Sequence, residues 1–412
     1  MRTLSRVLLL LLALEISFAQ IPRVKTGIEV LRAHAFDILQ GKKIGLITNP
    51  TGIDAHLVST IDILFRAPGV KLAALFGPEH GVRGDFAAGD RVDSYTDART
   101  GLPVYSLYGK TRKPTPEMLK NIDILVYDIQ DIGCRSYTYI STMGLAMEAA
   151  AENSIPFVVL DRPNPLGGLK VEGNLVEDGF ESFVSQFRIP YVYGLTCGEL
   201  AKLLNEEWML KDRIRCELTV VPMEGWTRAM DFEQTGLPWV PTSPHVPMES
   251  SPKYYVSTGI LGELDALSIG VGIMIPFRVL AAPWIDPYRI TDLMDSLHLE
   301  GVYFRPITFK PFYGRYKDST LHGVQLHITD PQRVNLMSLQ YLFLQVHHSL
   351  YPEKNPFVMA DPSRFSMFDK VSGTDDIRKR FTAGMRYDNI KVYLERDVEG
   401  FKKRSEKYYL YR

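Results

Sequence analysis

Four short apolar runs with no polar alternation constrain the fold of this chain most. They are residues 42–49 (KKIGLITN), 71–76 (KLAALF), 123–127 (DILVY) and 156–160 (PFVVL). A strand with one wet face alternates apolar and polar side chains, whereas these runs suit parallel strands covered on both faces. Helical stretches fall near residues 54–65 and 139–152. Strand–helix–strand order predicts a Rossmann-like α/β domain with a doubly wound, mostly parallel sheet. At 412 residues the chain exceeds one ordinary core. The expected division is an α/β domain over 24–176 and a second, α+β domain over 177–412.

Polar residues gather where each apolar run stops: Asn49, then Glu79 and His80, then Asp128, Gln130 and Asp131, then Asp161, Arg162 and Asn164. In open α/β sheets ligands bind outside the carboxyl ends of the strands. Four such loops are expected to converge on one site, although helix capping accounts for one or two of them.

Several function classes are excluded or disfavoured. The formal net charge of −1 argues against a nucleic-acid partner. No G-x-G-x-x-G or G-x-x-x-x-G-K-[ST] motif follows a strand, so no nucleotide cofactor is expected. Neither G-x-S-x-G nor H-E-x-x-H occurs, which disfavours a serine nucleophile elbow and a zinc protease. His322 and His327 lie five apart on an apparent strand and face opposite ways, so no metal site is expected. Cys134, Cys197 and Cys216 form no C-x-x-C pair and read as buried small hydrophobes. Residues 1–19 pair Arg2 and Arg6 with an apolar run and end in Ser17 and Ala19, a secretory leader pattern. Export to the periplasm or beyond is expected, with no stable membrane insertion after cleavage.

Longer motifs carry a resemblance. GLITNPTG (45–52), FGPEHGVRG (76–84), YDIQDIGCRSYTYISTM (127–143), LDRPNPLGG (160–168), VEGN (171–174), GLTCGELA (194–201), FDKVSGTDDIRK (368–379) and the terminal KYYLYR span nearly the whole chain after the leader. The sequence resembles the exo-β-N-acetylmuramidase family called NamZ. That resemblance implies a Rossmann-like domain, a C-terminal domain and an active site between them. It also implies release of N-acetylmuramic acid (MurNAc) from the non-reducing end of peptidoglycan fragments. Where many relatives carry Asn and Arg in the 262–273 region, this chain has Ala266 and Val271.

Glycoside hydrolysis uses a proton donor on the leaving oxygen and a second group at the oxocarbenium-like centre. Glu79 is the candidate donor. It sits in a Gly-Pro-Glu-His-Gly turn directly after a buried strand, where partial burial raises a carboxyl pKa, and the family motif places its key Glu here. Asp131 and Asp128 are candidates for the second group, Asp131 being preferred. The substrate's own acetamido group is the other candidate nucleophile. Candidate binding residues are His80, Gln130, Asn164 and Glu263, with Arg83, Arg135 and Arg162 as partners for the lactyl carboxylate and Tyr137 and Tyr139 for a sugar face. Each Arg has a local salt bridge as its alternative role. Thr196-x-x-Glu199 is a capping box and is left out of the catalytic set. A muropeptide-binding protein without chemistry, and a phosphoryl- or acyl-transfer hydrolase, are the competing readings. The second would need loops and ligands that this sequence lacks.

Overall fold

The structure, a computed structural model, describes residues 23–79, 81–84 and 94–412. The leader expected at 1–19 and His80 lie outside the described residues. A short helix α1 (Gly27–Ala33) leads into strand β1 (Lys43–Thr48), helix α2 (Thr60–Arg66) and strand β2 (Lys71–Gly77). Strands β3 (Tyr95–Thr96), β4 (Pro103–Ser106) and β5 (Ile124–Asp128) precede the long helix α3 (Tyr139–Glu152). Strand β6 (Phe157–Leu160), helix α4 (Cys197–Glu206) and strand β7 (Leu218–Val221) complete the first layer.

The sheet order is β3-β4-β2-β1-β5-β6-β7, parallel throughout except for the short β3–β4 pair. Its six parallel strands run in the doubly wound Rossmann order, with the switch between β1 and β5. The missing alternation in the sequence has its cause here. Leu46, Val126, Val158 and Leu160 pack into one buried cluster, and Ile47, Leu125, Tyr127, Phe157 and Val159 pack into the cluster on the opposite face. Each such side chain contributes roughly 1.5–3 kcal/mol by leaving water.

The boundary expected at 176/177 needs correction. Strand β7 pairs with β6, so the first sheet draws on residues as far as Val221. The second domain starts later, with helix α5 (Ser251–Gly262). It continues through strand β8 (Val279–Ala282), helix α6 (Pro287–Asp295), strands β9 (Val302–Phe309) and β10 (Leu321–Ile328), and helices α7 (Ser338–Leu350) and α8 (Phe365–Ser372). Its antiparallel sheet has the order β8-β10-β9 and is backed by α6 and α5, with α7 packed on both of those helices. The Pro-rich segment 237–250 holds no helix or strand, as its prolines require.

The C-terminus returns to the first domain. The Tyr411 hydroxyl donates to Asp161 Oδ2 (2.6 Å), and the Leu410 amide donates to Glu199 Oε1 (2.9 Å). Glu199 closes its capping box with Thr196 and also takes Arg228 in a buried ion pair (2.7 Å), so it is fully occupied as a structural carboxylate. All three cysteines are buried and free.

Gly27 lets α1 touch the end of β6. A Cβ there would lie 2.5 Å from the Asp161 amide nitrogen and 2.7 Å from the Leu160 backbone. Gly27→Ala should therefore cost about 1–3 kcal/mol by overpacking, read as a lower urea midpoint with an unchanged m-value.

Candidate active site

The loops after the strands converge as expected, but most of them meet one another. Asp128 is wholly buried at the end of β5. It pairs with Arg162 (2.5 and 3.1 Å) and accepts the Thr60 hydroxyl (2.5 Å), while Arg162 also donates to the Ile53 carbonyl (2.7 Å). This ion pair fills the switch-point crevice where a Rossmann sheet would hold a nucleotide. A pocket of about 310 Å³ remains there, lined by Thr51, Gln130, Arg162 and Trp239 among others. Gln130 spends its amide on the carbonyls of Asp131 (2.8 Å) and Pro163 (2.7 Å). Asn164 donates to the Leu195 carbonyl and accepts the Leu166 amide (both 2.9 Å).

Arg83 and Arg135 are also committed. Arg83 pairs with Asp97 (2.6 Å) and Asp62 (3.3 Å). That contact holds the Asp97 carboxyl down at about 2. Arg135 is fully buried and donates to four carbonyls, those of Asn174 and Ile189 (2.7 Å each), Ser372 (2.9 Å) and Val371 (3.3 Å), and to the Ser185 hydroxyl (3.2 Å). Burial lowers its pKa to about 10, which leaves it charged at neutral pH. Arg162 lines that pocket with its guanidinium held by Asp128, Arg83 and Arg135 are held by the partners named, and none of the three lines the interdomain cleft, so the expected role as lactyl-carboxylate anchors is corrected to a structural one.

Asp131 lies behind the cleft wall. Its Oδ2 accepts the Tyr193 hydroxyl and the Gly133 amide (2.7 Å), and its buried Oδ1 has no hydrogen-bond partner among the described residues. Burial pushes its pKa up to about 7, and the Tyr193 and Gly133 bonds only partly oppose that. Neither Asp131 nor Asp128 lines the open cleft between the domains, so neither takes the position foreseen for the second catalytic group.

The open cleft lies between the domains and encloses about 810 Å³, part of it open to solvent. From the first domain it is lined by Glu79, Ser136, Tyr137, Thr138 and Tyr139, from the Pro-rich segment by His245, and from the second domain by Tyr255, Glu263 and Phe277 among others. Glu79 follows β2 directly. Pro78 accepts the Gly81 amide (3.1 Å) and Gly81 has φ +74°, so the turn is tight and the carboxyl stays half-buried at the sheet edge. The Tyr108 hydroxyl bonds Glu79; burial first, and the carboxylate second, raise the pKa of that tyrosine. Glu263 stands at the carboxyl end of α5, where burial raises its carboxyl pKa.

Three tyrosines form the floor. Tyr137 meets Tyr139 edge-on (4.9 Å between centroids) and Tyr255 likewise (5.8 Å). Tyr137 and Tyr139 both donate to Thr242, to its hydroxyl (2.7 Å) and its carbonyl (2.5 Å). This anchors the Pro-rich segment over the cleft. Of the foreseen residues, Glu79, Tyr137, Tyr139 and Glu263 are brought together. Tyr255 and His245 were not foreseen. His245 is the basic side chain on the cleft wall among the described residues, and the pattern that marks its segment, a run of prolines, says only that the loop is ordered for a reason.

The comparisons agree with this architecture. The family model described as "Exo-beta-N-acetylmuramidase NamZ, N-terminal" matches residues 44–250, and its C-terminal counterpart matches residues 253–411. The chain belongs to the NamZ exo-β-N-acetylmuramidase family. It is 47% identical over 393 residues to the peptidoglycan β-N-acetylmuramidase NamZ of Bacillus subtilis (strain 168), covering 95% of this chain and 92% of that protein. Two solved DUF1343 family proteins from Bacteroides fragilis NCTC 9343 share the fold. One has a TM-score of 0.91 at 59% identity, over 95% of this chain and 99% of its own. The other has a TM-score of 0.76 at 31% identity, over 94% and 99%. The seam between the two NamZ models, at residues 250–253, coincides with the start of α5.

The buried Asp131 carboxyl has a pH consequence. Its folded pKa of about 7 lies above the ordinary aspartate value of about 3.9. The folded protein therefore binds more protons than the unfolded chain between those values, and stability falls as pH rises through that window. Thermal midpoints at pH 5 and pH 8 should show a loss in the parent protein that Asp131→Asn reduces, the remainder including that of buried Asp161, whose carboxyl burial pushes up to about 6.

Proposed function

We infer that this protein is an exo-β-N-acetylmuramidase, a glycoside hydrolase that releases MurNAc from the non-reducing end of peptidoglycan fragments. The observation that carries the reading to individual residues is the cleft itself. It sets two carboxyl groups, Glu79 and Glu263, around a saccharide-sized space floored by tyrosines in a chain of the NamZ family.

Glu79 is the proton donor in this reading. Its proton passes to the glycosidic oxygen as the C1–O bond breaks, and positive charge develops at C1 and the ring oxygen. Glu263 replaces Asp131 and Asp128 as the second group, reaching the cleft from the other domain to stabilise that charge. Tyr137, Tyr139 and Tyr255 offer ring faces and edges to the pyranose. His245, on the same wall, is the side chain assigned to the lactyl carboxylate. The leader-like residues 1–19 support action outside the cytoplasm, in the periplasm or beyond, and a part in cell-wall turnover or recycling.

The test compares a MurNAc–GlcNAc disaccharide with dinitrophenyl MurNAc, whose leaving group needs no protonation. Glu79→Gln should lose at least about 100-fold in kcat on the disaccharide and much less on the aryl glycoside. Glu263→Gln should lose on both. Full activity of Glu79→Gln on the disaccharide would overturn the assignment. Binding of the disaccharide without turnover by the parent protein would make this a muropeptide-binding protein instead.

A further inference from the structure

A second cleft of about 610 Å³ adjoins the first and is lined by Gly262, Asp265, Val271, Tyr313, Arg315 and Tyr316 among others. The two meet along one seam. Gly262 lines one cleft and its neighbour Glu263 the other. Across the seam, His245 Nε2 bonds the Tyr313 hydroxyl at 2.7 Å, and the two rings stack 6.2 Å apart.

The wall of this second space is the β9–β10 connection, residues 310–320 (KPFYGRYKDST). It is held in place by the chain opposite. The Phe312 amide donates to the Gly272 carbonyl (2.8 Å), and Gly272, at φ +102°, leaves no room for a Cβ, which would lie 2.6 Å from the Tyr313 carbonyl oxygen. The Tyr316 hydroxyl donates to the Ala266 carbonyl (2.7 Å). A rigid loop thus presents Phe312 at 71% exposure and Tyr313 at 49%, an apolar investment that the second domain's core does not use.

Charge defines what the space can take. Asp265 is shared by two arginines, Arg364 (3.3 Å) and Arg315 (4.0 Å), and Arg364 also donates to the Glu263 carbonyl (3.3 Å). Two guanidiniums surround the Asp265 carboxylate, and Lys310 and Lys317 on the same loop stand against Asp318 there and Glu263 beside it, so the four cations exceed the three carboxylates by one. Aromatic faces beside guanidiniums suit a saccharide that carries a carboxylate.

We propose that this second cleft is the aglycone site, and that Arg315 on its wall receives the carboxylate of an acidic sugar further along the chain being shortened. The proposal rests on the muramidase reading above. An enzyme that removes the non-reducing terminal sugar has one ring on the glycone side of the scissile bond and the rest of the chain on the aglycone side. A saccharide cleft beside the catalytic one is placed to accommodate the portion that leaves.

The experiment measures kcat/KM on MurNAc–GlcNAc, on MurNAc–GlcNAc–MurNAc, and on that trisaccharide with its reducing-end lactyl carboxylate amidated. The parent protein should prefer the acidic trisaccharide over the disaccharide by about five- to tenfold, mostly through KM, and the amidated one should lose that advantage. Arg315→Gln should lower the trisaccharide-to-disaccharide ratio towards one, and Arg315→Lys should restore part of it. Equal rates on all three substrates, or a ratio untouched by Arg315→Gln, would overturn the proposal. Failure of the parent protein to cleave the disaccharide would instead remove the reading on which it rests.

Discussion

The arrangement of the two domains depends on a buried cation. Arg135 sits just after the Rossmann-like sheet and has no carboxylate among its hydrogen-bond partners. It gathers carbonyls from residues 174 and 189 on one side and from residues 371–372, at the end of α8, on the other. A charged guanidinium withdrawn from water costs several kcal/mol unless each donor finds an acceptor, so the geometry is demanding. The carbonyls of both segments meet at this one guanidinium, which ties their relative placement. Tyr137 and Tyr139 follow Arg135 within four residues and reach Thr242 of the Pro-rich segment. The pin and the cleft floor are thus parts of one loop, and the position of Glu79 relative to Glu263 is set by how that loop is held.

The same economy explains why a Rossmann sheet here serves a sugar rather than a nucleotide. The switch point between β1 and β5 is occupied by the Asp128–Arg162 pair, with Thr60 and the Ile53 carbonyl completing its hydrogen bonds. Charged groups that might have held a phosphate are neutralised by each other. The space for chemistry moves towards β2 and the 133–139 loop, where the second domain can supply the opposite wall.

Much of the fold was legible in the sequence because it rests on local signals. Two-faced apolar strands such as 123–127 have few other readings, and the 139–152 helix emerges as α3 at the same residues. The site was legible only in part. Glu79 announced itself through its Gly-Pro-Glu-His-Gly turn. Asp128 and Arg162 did not announce that they pair, because polar residues at strand ends look alike whether they face a ligand or each other, and 34 positions separate these two. Arg135 gave no sign of burial, since its acceptors are backbone carbonyls from distant segments. Glu263, at the end of a helix in the other domain, could be tied to Glu79 only by the packing of the domains.

The central claim is that the interdomain cleft is where the terminal sugar binds, with Glu79 at its glycosidic oxygen. A crystal structure of Glu79→Gln soaked with a MurNAc–GlcNAc disaccharide tests it most directly. The account predicts the terminal ring against Tyr137 and Tyr255, with the side-chain amide of residue 79 within hydrogen-bond distance of the bridging oxygen. A disaccharide seated elsewhere, or bound with that oxygen facing away from residue 79, would contradict it.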